Sequence, residues 1–233
     1  MATFRATTAH QLDATTGGNL QISRTITAGD LCVWPLTWED SQTITGSITD
    51  TAGGTWVVQH AGTAPGGAPC PVMGFAYCLN HPGGAATLTA TLTGTANPLR
   101  ESNLLCFQPG AGNTFQFDVA MAPVTGASAT SFAGTLISTQ PGVVVQWLAG
   151  FQLTVGVAAG GTPAFTRDTT TEDAGGRSFA QYLINNSGGN VTPGCSWAAP
   201  AGQYVLAAVS FKEVTAGGGG SDPVLGRRIW VMP

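Results

Sequence analysis

Four residues able to bind a soft metal lie near one another in the chain: His60, Cys70, Cys78 and His81. Cys78-Leu-Asn-His81 has the short spacing of half a zinc site, the other ligands coming from a loop and a strand end. A structural zinc needs four well-spaced ligands, so the simpler reading is a core thiol at Cys78 and a turn histidine at His81. Glu39-Asp40 follows Trp38, and paired acids beside an aromatic suggest glycoside chemistry. Neighbours on a strand face opposite ways, however, and a solvated hairpin tip explains the pair better. Arg100-Glu101 reads as a surface ion pair. Asp168, Glu172 and Asp173 share a polar loop of the kind that supplies oxygens to calcium, at a spacing that matches no calcium motif. No Gly-x-Ser-x-Gly, Walker-type or dinucleotide fingerprint occurs, and the three histidines are too scattered in sequence to argue a triad. Trp34 and Trp38 share parity on one strand; core packing is the favoured explanation for them, with a glycan-binding face as the alternative. Catalytic residues, cofactor and metal are therefore all expected to be absent.

The elements that would hold these residues are strands. Ala28-Gly29-Asp30 and Asp50–Gly54 are turns, because Gly accepts positive φ and Asp bonds back to its own backbone. Leu31–Thr37 is an apolar, β-prone run between them, and Trp56 opens the next strand. Pro35 marks the first of these as an edge or bulged strand. Val72–Asn80 is apolar at nearly every position, which predicts a strand buried on both faces. His81-Pro-Gly-Gly ends it. Thr87, Thr89, Thr91 and Thr93 then alternate with Leu88, Ala90 and Leu92, a two-residue period that separates a threonine face from an apolar one. Further strands are read at Leu20–Ile26, Asn103–Phe107, Phe115–Met121, Val143–Val155, Phe179–Ile184 and Tyr204–Val214. Residues 126–134 read as small and irregular, and 162–177 as a polar loop. No segment shows helical spacing with caps, and no strict repeat is visible. The pattern predicts an all-β antiparallel sandwich or jelly roll with extended N- and C-terminal arms. Its parts are an N-terminal arm or leading strand (1–19), the sandwich (20–216), a Gly-rich linker (217–221) and a C-terminal docking arm (222–233).

Composition narrows the role. Only 9% of the 233 residues are charged, with one lysine, seven arginines and a net charge of −4. A typical soluble domain carries ~25% charged residues, so much of this surface is expected to be covered by partners. Phosphate-backbone binding needs basic clusters that are missing here, so nucleic acid is not expected. No run approaches the ~20 apolar residues of a membrane helix, and no signal peptide opens the sequence. Five cysteines do not make a disulfide framework, and small buried thiols are expected.

One succession of motifs is familiar. Thr-Ala-Gly-Asp-Leu is followed by Ser-Ile-Thr-Asp-Thr-Ala-Gly-Gly-Thr-Trp, Gly-Phe-Ala-Tyr-Cys and Gly-Gly-Ala-Ala-Thr-Leu-Thr-Ala-Thr-Leu-Thr-Gly. Tyr-Val-Leu-Ala-Ala-Val-Ser-Phe-Lys closes the series. From Leu20 to Glu213 this order resembles Gly/Thr-rich β-sandwich structural proteins of tailed bacteriophages. The resemblance implies a virion location after synthesis in the host cytoplasm, as capsid decoration, cement or head fibre. It also implies partners among other virion proteins and copies of the chain itself, and brings no catalytic residues. A tail-associated receptor- or carbohydrate-binding module is the alternative, with a glycosidase third.

The tail is the candidate docking arm. Val224, Leu225, Arg227, Arg228, Ile229, Trp230, Val231 and Met232 follow a flexible Gly-Gly-Gly-Gly-Ser link. In extended form Ile229 and Val231 share one face and Trp230 and Met232 the other, suiting strand addition to a partner, with the arginines pairing to acids. Since no matched ligand set is present, a chelator should leave the melting temperature unchanged. A fall of many degrees would instead establish the Cys78/His81 metal site.

Overall fold

The computed structural model describes residues 1–5, 9–13, 19–39, 42–44, 48–63, 71–94, 100–127, 130–150, 158–168, 178–196 and 203–216. Among them every regular element is a strand. The first half holds β1 (Thr3–Phe4), β2 (Ala9–Asp13), β3 (Leu20–Ile26), β4 (Leu31–Glu39), β5 (Gln42–Ile44) and β6 (Thr49–Asp50). It continues with β7 (Val57–Thr63), β8 (Pro71–Cys78), β9 (Gly84–Ala90), β10 (Leu92–Gly94) and β11 (Arg100–Gln108). The second half opens with β12 (Asn113–Ala120), β13 (Val124–Ala127), β14 (Ser131–Ala133), β15 (Ile137–Thr139), β16 (Gly142–Gly150) and β17 (Ala158–Ala159). It ends with β18 (Thr166–Arg167), β19 (Ser178–Asn185), β20 (Gly189–Val191), β21 (Gly194–Ser196) and β22 (Gln203–Thr215).

Two large antiparallel sheets form the body. One runs β1-β11-β4-β8-β7, with β2 also on β11; the other runs β12-β22-β16-β19-β18, with β13 also on β22. Leu31, Val33, Phe75, Leu105 and Phe107 of the first sheet meet Val143, Val145, Trp147, Val209 and Phe211 of the second in one buried core. The outer face of the first sheet packs Cys32, Trp34, Leu36, Trp38 and Ala76 against Leu20, Ile22, Ala86 and Leu88 of a β3-β9-β6 cover. The outer face of the second packs Val144, Leu148 and Phe179 against Phe132, Ile137 and Cys195 of the β14-β21-β17 and β15-β20 covers. The strands of the two large sheets are thus buried on both faces, which explains why β8 and β16 are apolar almost throughout. The β9 threonines stay partly exposed while Ala86, Leu88 and Ala90 turn inward, as the two-residue period requires.

The halves wind in one order. Each begins with an edge strand of the large sheet (β1 and β2; β12 and β13), then a cover strand (β3; β14 and β15) and the central strand (β4; β16). A second cover strand (β6; β17), the far edge (β7; β18) and its neighbour (β8; β19) follow. The middle cover strand (β9; β20 and β21) and the last large-sheet strand (β11; β22) complete each half. Register carries the match to single residues: Val33 lies opposite Tyr77 and Leu105, and Val145 opposite Tyr182 and Val209. Tyr77, Asn80, Gly83, Gly84 and Thr87 recur as Tyr182, Asn185, Gly188, Gly189 and Thr192 at identical spacing. Both Gly-Gly pairs have positive φ, 87° and 109° in the first half and 67° and 102° in the second. The repeat lies in topology and in these few positions, so no strict sequence repeat announces it.

Four sequence expectations change. Pro35 sits in the central strand of its sheet, not at an edge. Lacking an N–H, it interrupts a ladder instead: β4–β11 pairing lapses between Leu36↔Ser102 and Val33↔Leu105. Trp56 precedes β7 and does not belong to it. Residues 124–127 and 131–133 are short strands where irregular chain was expected. Within the polar loop read at 162–177, Phe165 is buried and Thr166–Arg167 forms the edge strand β18. The N-terminal segment is the leading-strand form of its expectation, with β1 and β2 both paired to β11. The tail from 217 onward lies outside the described residues.

Gly83 and Gly188 should be hard to replace. A Cβ on Gly83 would stand 2.7 Å from the Ala28 amide nitrogen, and one on Gly188 2.9 Å from the Thr139 carbonyl oxygen. Gly112 has positive φ but open space around its Cβ position. Urea unfolding should show Gly83→Ala and Gly188→Ala each losing about 1–3 kcal/mol, and Gly112→Ala clearly less. Equal losses at all three would contradict the close approach.

Candidate functional site

One highly connected polar node joins two turns. Asp50 at the end of β6 accepts from the Ala52 amide (2.8 Å) through Oδ1. Through Oδ2 it accepts from the Gly54 amide (3.1 Å) and the Trp56 indole (3.0 Å), and lies 2.8 Å from His81 Nε2. The Gly83 amide donates to His81 Nδ1 at 2.9 Å, so Nε2 carries the proton given to Asp50. Both side chains are almost wholly buried, His81 at 0%. Backbone bonds carry the node into the Thr27–Asp30 turn: His81 N–H donates to the Asp30 carbonyl, and Gly29 N–H to the His81 carbonyl. The Asp30 carboxylate in turn receives the Arg5 guanidinium at 3.2 Å.

An Asp–His pair invites a catalytic interpretation, and the geometry argues against one. A general base needs a free imidazole nitrogen facing a nucleophile or a water. Here the nitrogen that would do that work accepts a main-chain N–H, in a site with no exposure. The pair fastens turns. Burial would raise the Asp50 carboxyl, but the bonds from Trp56, Ala52 and His81 outweigh it and hold the group below its ordinary value. Asp30 goes the other way: burial raises it and the Arg5 contacts only partly offset this.

A second polar group lies between the large sheets. Ser178 Oγ donates to Glu101, Asn103 Nδ2 donates to Asp168 at 3.0 Å, and Trp147 Nε1 donates to Thr37 Oγ1 at 2.7 Å. Thr37 and Glu101 are register partners on β4 and β11. Glu101 is therefore not half of a surface ion pair with Arg100. It is 1% exposed because even and odd residues of β11 both face packed layers. Asp168 is buried as well, while Glu172, Asp173 and the Arg100 side chain lie outside the described residues.

The remaining candidates are placed as follows. Trp34 and Trp38 are 0% and 1% exposed beneath the β3-β9-β6 cover, which overturns the glycan face: no ring is open to stack on a sugar. Trp34 instead meets Trp56 edge-on, with ring centroids 6.3 Å apart. Cys78 is the expected core thiol, raised by burial against main-chain bonds from Asn80 and Thr55, and His81 is committed to Asp50. Among the described residues no group of three or more His, Cys, Asp or Glu is placed to hold a metal. The His60 and Glu39 side chains, Asp40, Cys70 and the whole 222–233 arm, with Val224 to Met232, lie outside the described residues. Sequence reasoning missed the Asp50–His81 clasp, although both of its turns were recognised separately. Compared with family models, characterised proteins and solved structures, the chain matches none.

The clasp predicts an acid response. With the Asp50 value depressed in the fold, its stabilisation is fully present above the ordinary carboxyl value of 3.8 and is lost as pH falls through the folded-state value. Asp50→Asn should lower stability at neutral pH by about 1–3 kcal/mol. The gap to the parent should shrink below about pH 4 in denaturant titrations. A gap constant down to pH 2 would refute the depressed carboxylate.

Proposed function

We propose that this chain is a non-enzymatic structural subunit of a bacteriophage virion, decorating or cementing a capsid or forming part of a head fibre. Each half is read as a jelly roll, since its large sheet and cover wind as two interleaved Greek keys would. The observation that carries the reading is the pairing of two such units back to back through a largely apolar core. Such a block resists deformation, which a particle component needs and a substrate cleft does not. The polar groups with catalytic potential are spent on fastening turns and sheets. The low charge agrees with a surface that meets partners, namely other virion proteins and copies of the chain. The tail reading as a carbohydrate binder loses its support with the burial of Trp34 and Trp38.

In this proposal Val224, Leu225, Arg227, Arg228, Ile229, Trp230, Val231 and Met232 attach the block to the particle. Full-length protein should co-sediment with purified particles. Deleting 221–233 should leave the melting transition of the block within a few degrees of the parent while abolishing co-sedimentation. Incorporation of the truncated chain at normal occupancy would remove the arm as anchor. Absence of the full-length chain from particles would remove the virion reading itself.

A further inference from the structure

Three of the chain's five cysteines stand in one row across adjacent strands: Cys106 on β11, Cys32 on β4 and Cys78 on β8. Cys32 is the register partner of both others, and all three point into the outer core of the first sheet. The Cys32 and Cys106 sulfurs are 3.4 Å apart. The second half provides an internal control. Its matching row, on β22, β16 and β19, is Ser210, Val144 and Leu183. The shared architecture therefore does not require sulfur here, and packing alone does not explain three thiols in line.

We infer that Cys32 and Cys106 are a redox pair that closes to a cross-strand disulfide under peroxide. Directly opposed residues of antiparallel strands have Cα atoms about 4.5–5.5 Å apart, inside the ~4.4–6.8 Å a disulfide spans. The bond can close without moving either strand from its register. The access route is a small cavity of about 150 Å³ lined by Arg5, Arg24, Thr27, Asp30 and Cys106. It brings the oxidant to the Cys106 end of the row. The bond to Cys106, together with burial, pushes the Cys32 thiol well above its ordinary value, so Cys32 keeps its proton.

The chemistry balances with hydrogen peroxide as the oxidant. The Cys106 sulfur attacks one peroxide oxygen, the O–O bond breaks, and a sulfenic acid and one water form. The Cys32 sulfur then attacks the sulfenic sulfur, and the hydroxyl leaves as a second water with the Cys32 proton. Two thiols are oxidised, and one peroxide is reduced to two waters. Cys78, across β4, is left as a thiol.

The test uses the full chain, reduced, exchanged into buffer and treated with hydrogen peroxide under native conditions. Intact mass after alkylation should show the loss of two hydrogens, and peptide mapping should link Cys32 to Cys106. Dithiothreitol should reverse both, and the oxidised protein should melt at a higher temperature than the reduced one. Cys78→Ser and Cys70→Ser should still form the link, whereas Cys32→Ser and Cys106→Ser should not. The mapping is made on the parent protein, so a variant that misfolds does not weaken it. Retention of all five thiols, a Cys32–Cys78 link, or a link that forms only in proportion to urea-induced unfolding would each overturn the inference.

Discussion

Everything in this structure depends on one shared apolar interface. The two large sheets have no solvent face toward each other, and each also carries a cover, so β4, β8, β11, β16, β19 and β22 must bury side chains on both sides. The interface is built reciprocally. Phe4 and Phe107 of the first half close around Tyr182 of the second, with Phe4–Tyr182 centroids 4.2 Å apart and Phe107–Tyr182 5.6 Å. Phe117 and Phe211 of the second half close around Tyr77 of the first, at 5.8 Å and 5.1 Å. Tyr77 and Tyr182 hold equivalent positions, as do Phe107 and Phe211. This is the self-complementary pattern of a two-fold dimer, here joined within one chain. Aromatic pairs contribute about 0.5–1.5 kcal/mol each beyond their buried area, so the two triads are a substantial part of what holds the halves together.

The interface is not symmetric in its polar groups, and the difference is informative. Glu101, Asn103, Asp168 and Ser178 gather at one end. By register, the positions matching Glu101, Asn103 and Ser178 are Val205, Ala207 and Met73. At that other end the space is an open cavity of about 320 Å³ lined by Gln59, Phe75, Ala207 and Val209 among others. Burying carboxylates costs more than burying valine, and such groups are retained where they specify one alignment over its alternatives. Each of the two bonds joins β11 of the first half to the β18–β19 side of the second. With two nearly equivalent units, an apolar interface alone tolerates sliding; polar bonds at one end only select a single docked arrangement.

How much of this could be read from residues differs by level. Strand existence was legible wherever side-chain period or apolar run was strong, as in β9 and β8, because each face has one fixed environment. The burial of Trp34 and Trp38 was legible as the core packing favoured for aromatics in β proteins, but what covers them was not. The cover over them comes from β3, β6 and β9, distant in sequence. Glu101 misled for the same reason: an Arg-Glu pair in a polar stretch resembles a surface pair until a second sheet is laid over it. Asp50 and His81 were each legible as turn residues, but their contact is long-range and leaves no local spacing. The internal repeat hid because few positions share their identity between the halves, among them the two Gly-Gly turns, Tyr77/Tyr182 and Phe107/Phe211. Other matched core positions differ, as Leu105 and Val209 do, which volume-tolerant cores permit.

The first residues of the chain are fastened to the end of β22. The Ala2 amide and the Gly110 amide both donate to Glu213 near the end of β22, and the Met1 ammonium lies 3.7 Å from the same carboxylate. The Ala216 amide donates to the Gly112 carbonyl. The start of the first half, the connection between halves and the end of the last strand therefore meet at one point. The sequence from 217 onward leaves from there, directly continuous with β22. That strand is paired to β16 from Tyr204 to Lys212 on one side and to β12 and β13 on the other, with Glu213–Thr215 laddered to β12. A pull on the tail along the strand axis loads these ladders in shear, so many hydrogen bonds must fail together before the strand moves. A tail attached to an edge strand would peel its ladder one bond at a time. A strand held on both sides over most of its length suits the anchoring proposed above, and it links the shared interface to the fastened start of the chain.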